Sequence, residues 1–96
     1  MKNFFDIGNF VNTLTAQAVT AALTERVKLR RKEAKLTQKA LAEKSGVSLA
    51  SLRRFESTGE ISLTSLVKIA DTLNCLSDFN ELFSHRIISD LKDYKV

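Results

Sequence analysis

The chain has 96 residues, 44% of them hydrophobic, and a formal net charge of +4, which suits one domain with one modest core and a globular rather than a disordered chain. It has no proline, three glycines and a single cysteine, Cys75, so an intrachain disulfide and a cysteine-built zinc site are excluded and an all-helical fold is favoured. No run approaches the ~18 apolar residues of a membrane span, and no basic-then-apolar leader opens the chain; a soluble, cytoplasmic protein is expected.

In chain order, residues 1–12 read as an N-terminal extension. Its Phe4, Phe5, Ile7, Phe10 and Val11 have no clear period, and they are free to pack on the domain's own surface or against a second subunit. A domain is expected over residues 13–83. Its first helix is long, starting near Thr13 or Thr15 and ending near Ala34. Leu14, Ala18, Val19, Ala22, Leu23 and Val27 form its apolar stripe at three- and four-residue steps, with Lys28, Arg30 and Lys32 on the outer face.

The segment from Leu36 to Glu56, LTQKALAEKSGVSLASLRRFE, carries the most information. Thr37 and Ser48 stand where N-caps belong, and Gly46 supplies the left-handed backbone that ends one helix and redirects the chain. Ala40, Leu41 and Ala42 point inward between them. Two short helices follow, about 38–44 and 49–57, a unit of the helix-turn-helix type whose second helix is thin enough to enter the DNA major groove. Charge agrees with this. Residues 24–60 carry ten basic and five acidic side chains, a net +5, against zero for 1–23 and −1 for 61–96. Basic charge concentrated on such a unit suits phosphate neutralisation.

Thr58-Gly59-Glu60 reads as a turn. Ser62 is expected to cap a fourth helix with Leu63, Leu66, Ile69, Ala70 and Leu73 as its buried stripe. Ser77 is expected to cap a last short helix from Asp78 to about Phe83 that buries Phe79, Leu82 and Phe83. Cys75 is expected as a small buried hydrophobe. The tail, 84–96, is open between an extended segment at Ile87 and Ile88 and a prolonged helix.

An enzyme reading finds little to use. His85 is the only histidine, with no second ligand at a metal spacing, and no phosphate loop or nucleophile elbow is present. No cofactor or metal is expected.

The run of Leu-Thr-Gln, Leu-Ala-Glu, Gly-Val-Ser and Phe-Glu after Arg31, followed by ISLTSLVKIADTL, resembles the lambda-repressor-like Cro/CI (XRE) helix-turn-helix family over roughly residues 23–83. The resemblance implies a five-helix DNA-binding domain, generally a homodimer that represses transcription from paired half-sites on double-stranded DNA. It implies that Gln38 touches a phosphate and braces the recognition helix, and that Ser48 caps that helix and donates to phosphate. Leu49, Ala50, Arg53 and Arg54 would then face the groove, and Lys39 and Ser51 complete the expected contacts. Either arginine suits guanine O6 and N7, or a phosphate; Leu49 and Ala50 offer only apolar contact to a thymine methyl, and for Leu49 packing within its own helix is the alternative. Arg31 and Glu56 are implied to form a partly buried ion pair that sets the angle between first and third helices. Phe79, Leu82, Phe83, Ile87 and Ile88 are the expected dimer interface. The RRFESTGEISLTSLVKIADTL portion also looks like a subgroup of small regulators, some of which are antitoxins beside HipA-type kinase toxins; a toxin protein is the rival partner.

Overall fold

The computed structural model describes residues 14–86. They form five helices and no strand: α1 (Ala16–Glu33), α2 (Gln38–Ser45), α3 (Leu49–Thr58), α4 (Leu63–Thr72) and α5 (Leu76–Asn80). No helix among the described residues is long and apolar enough to cross a membrane. The N-terminal phenylalanines, Ile87, Ile88 and the rest of the tail lie outside the described residues.

Local chemistry sets where the helices start. The hydroxyls of Thr15, Thr37, Ser48 and Ser62 accept from the backbone N–H three residues on, at Ala18, Ala40, Ser51 and Ser65, satisfying donors that the helix leaves unpaired. At α2, α3 and α4 the residue before the cap (Leu36, Val47, Ile61) and the residue four positions inside the helix (Leu41, Leu52, Leu66) all belong to one apolar cluster. This is the pattern of a hydrophobic staple repeated three times. Phe55, Leu41, Leu52 and Ile69 are its fully buried members. α2 packs on both α3 and α4, α1 on α3, and α5 on α4.

Two helices end in a left-handed residue other than glycine. After α1, Lys35 has φ 59°, and its N–H and that of Leu36 donate to Lys32 and Arg31 carbonyls; after α4, Asn74 (φ 61°) and Cys75 do the same to Asp71 and Ala70. These are Schellman closures, which satisfy carbonyls at the helix end.

Five expectations need correction. In α1 only Leu23 and Val27 of the expected stripe are half-buried, while Leu14, Ala18, Val19 and Ala22 are exposed. No described element buries that side of the first turns. Thr24 is buried instead, its hydroxyl satisfied by the Thr20 carbonyl at 2.8 Å. In α4, Leu63 is 68% exposed, because the staple there uses Ile61 and Leu66 and leaves the first helical position facing out. α5 starts at Leu76, not after a Ser77 cap, since the Schellman closure of α4 feeds the chain directly into it with no side-chain cap. Phe79 is half-buried against the core, but Leu82 and Phe83 are exposed, and Cys75 is only half-buried, its thiol 3.4 Å from the Leu73 carbonyl.

The turn between α3 and α4 is pressed close to α1. Gly59 has φ +83°, and a Cβ there would lie 2.9 Å from Thr20 Cγ2 and 3.2 Å from Thr24 Oγ1 on α1. Gly46 shares the left-handed backbone, but a Cβ there meets open space. Gly59→Ala is therefore expected to cost about 2–4 kcal/mol, from backbone strain and overpacking together. Gly46→Ala should cost about 1–2 kcal/mol, from strain alone. Urea denaturation of the two variants checks the difference; equal losses would contradict the close approach of α1 to this turn.

Candidate nucleic-acid interface

α3 is amphipathic by sequence and is held on one side only. Leu52 and Phe55 are buried, and Glu56 is buried among them, while Ala50, Ser51, Arg53, Arg54 and Ser57 are exposed. Its start is braced twice: the Ser48 hydroxyl accepts from the Ser51 N–H at 3.1 Å and donates to the Ser51 hydroxyl at 2.9 Å. In the turn before it, the Gly46 N–H donates to the Ala42 carbonyl, and the Val47 N–H donates to the Ser45 hydroxyl at 3.2 Å. The chain is thus fixed on both sides of the 46–48 turn.

Its far end is tied to three other elements through one carboxylate. Arg31 Nε donates to Glu56 Oε2 at 2.7 Å and Arg31 Nη2 to Glu56 Oε1 at 3.0 Å, while Arg31 Nη1 donates to the Leu36 carbonyl at 2.9 Å. Gln38 Nε2 donates to Glu56 Oε1 at 2.9 Å. The two charged side chains are only 11% and 5% exposed. Burial by itself pushes the Glu56 carboxyl up. The hydrogen bonds from Arg31 and Gln38, with the charges of Arg31 and Lys28, outweigh it and hold the group below its ordinary value of 4.5. A planar guanidinium fits this role because it presents a two-pronged fork to a carboxylate. The result joins α1, the loop before α2, α2 and α3 into one rigid frame.

The frame places the expected contact residues unequally. Ser48, Ala50, Ser51, Arg53 and Arg54 lie on or beside the open face of α3, and Lys39 is exposed in the first turn of α2. Leu49 is half-buried and packs against the apolar cluster, which favours the packing alternative for it. Gln38 is half-buried with its amide nitrogen on Glu56, which makes it the brace of α3.

Arg53 forms no ion pair among the described residues. Arg54 does: its Nη2 donates to Glu60 Oε1 in the turn after α3. That partner was not legible from sequence, where Thr58-Gly59-Glu60 is only a turn. The available signal was the six-residue spacing across a glycine that folds the chain back.

Of the expected dimer residues, Phe79 and Leu82 line a second feature, and Ile87 and Ile88 lie outside the described residues. A cavity of about 410 Å³ opens between α1, α4 and α5, with Leu23, Val27, Leu66, Leu73, Phe79 and Leu82 among its lining and Arg26 and Arg30 on α1 beside it. Leu82 and Phe83 are exposed.

A helix-turn-helix family model matches residues 27–79, more than half of the chain and the whole of α2 to α4. No curated protein matches it. The capped pair α2–α3, the buried brace behind α3 and this match lead to one conclusion: the chain belongs to the helix-turn-helix family of Cro/CI-like DNA-binding regulators.

Proposed function

We propose that the chain is a sequence-specific transcriptional repressor that binds operator DNA as a homodimer on paired half-sites, in the cytoplasm of a bacterial cell. The observation that carries the reading is the asymmetry of α3: one face is locked by Leu52, Phe55 and the Arg31–Glu56–Gln38 cluster, and the other presents Ala50, Ser51, Arg53 and Arg54. A rigid helix with a small, polar and cationic free face suits the major groove. Ser48 beside that face, and Lys39 at the start of α2, supply donors for the backbone on either side.

The homodimer follows from reach and from surface. One recognition helix reads only about 4–5 base pairs, and two in a two-fold arrangement sit about 34 Å apart. The exposed Leu82 and Phe83 and the neighbouring apolar cavity are a surface that a second copy would cover.

Selection of bound fragments from the source genome, followed by fluorescence anisotropy across a salt series, tests the reading. A two-fold-symmetric site is expected, with log K falling linearly in log salt by about 0.9 per phosphate neutralised. Sedimentation should give a dimer. Failure to bind any duplex at low salt would overturn the DNA reading. Selected sites confined to the promoter of a neighbouring kinase-type toxin gene would replace free-standing repression with the antitoxin role.

A further inference from the structure

The turn after α3 is wired to Arg54 through two side chains, Thr58 and Glu60. The Thr58 hydroxyl donates to the Arg54 carbonyl at 2.7 Å and accepts from the Glu60 N–H at 3.1 Å. Gly59 between them is wedged against Thr20 and Thr24 of α1, so the path of the turn is not free to relax. The Glu60 carboxylate then takes Arg54 Nη2. Both side chains are about two-thirds exposed, and they lie at a notch of about 220 Å³ between α3 and the start of α4, with Ser51, Ser62 and Ser65 around it. A carboxylate set this way at the edge of a DNA-binding face needs an explanation, because it opposes the phosphates.

We infer that Glu60 is a specificity-determining residue: it holds Arg54 for reading a guanine and keeps it from acting as a phosphate clamp. The inference rests on the DNA-reading role proposed above. A guanidinium has five donors in a rigid fork, and Glu60 occupies one, leaving a two-pronged face for guanine O6 and N7. A base edge carries no net charge, so the pair meets it without repulsion. A phosphate would meet an arginine already neutralised, with a carboxylate beside it. Fixing the side chain before binding also removes an ordering cost that a free arginine would meet in the complex.

Glu60→Gln keeps the shape and removes the charge. Measured on the selected site and on duplexes with that guanine replaced, the variant should lose about tenfold of its preference for the guanine. It should bind unrelated duplex several-fold more tightly, with a salt slope steeper by about one. In an Arg54→Ala background the same change should leave base preference unmoved. The thermal melt serves as control, since both side chains are exposed. An unchanged base preference in Glu60→Gln would overturn the inference while leaving DNA binding intact, and so would an equal loss on every sequence. A wild-type chain with no base preference at all would overturn the underlying reading as well.

Discussion

Replacing Glu56 by alanine is expected to cost about 3–5 kcal/mol, because it strands the buried Arg31 guanidinium without its carboxylate. Against a total stability of about 5–15 kcal/mol for a domain, that leaves a marginal fold, with a melting temperature lower by on the order of 20 °C. Removing both charges together with apolar replacements at Arg31 and Glu56 should cost less than Glu56→Ala alone, since no charge is then left buried. The pH dependence has a definite sign. Glu56 is held below 4.5 in the folded chain, so the unfolded chain binds its proton first as pH falls. Its contribution is fully present above about pH 4.5 and is lost as pH drops through the lower folded value. Urea denaturation of wild type and Glu56→Gln should therefore give a gap that is constant near neutrality and closes in acid. A gap that widens in acid would contradict the ion pair.

Ala50→Asp is expected to separate folding from binding. Ala50 is exposed at the second position of α3, where an aspartate is favoured by the free N–H groups and dipole of the helix start. Stability should be unchanged or slightly raised. Against DNA, the new carboxylate faces phosphates and base edges, and like-charge juxtaposition costs several kcal/mol. Affinity should fall by roughly 100-fold or more, at about 1.4 kcal/mol per tenfold. Circular dichroism melts and anisotropy titrations measure the two effects. Unchanged affinity would move the DNA surface off α3, leaving the basic side chains of α1 as the place to look.

What could be read in advance divides along the range of the interaction. Caps at Thr15, Thr37, Ser48 and Ser62, and the turn at Gly46, depend on residues within four positions, so their chemistry is visible in a short window. Periodicity is weaker: it states which residues share a face, not whether anything covers that face. Leu14, Ala18 and Val19 share a stripe with Leu23 and Val27 but extend beyond the elements that cover it. The α4 stripe failed at Leu63 for a related reason, because the residue before the cap, Ile61, takes the inward place.

At the site, the partners of Glu56 lie 25 and 18 residues away; the pairing with Arg31 came from family resemblance, and the one with Gln38 needed the fold. Leu49 is the instructive case. Its position in the motif pointed outward, whereas its apolar side chain found the cluster beneath the helix. Glu60 was hidden because its meeting with Arg54 requires the left-handed Gly59 and the Thr58 hydroxyl bridge.

The open face of α3 is proposed to read bases from the major groove, twice, one turn of duplex apart. Methylation interference at guanine N7 on a selected site tests it most directly, because N7 lies in the major groove beside O6. Interference is expected in two clusters centred about 10–10.5 base pairs apart, with at least one guanine in each cluster losing its effect when Arg54 is replaced by alanine. Binding that is indifferent to N7 methylation throughout the site would contradict it.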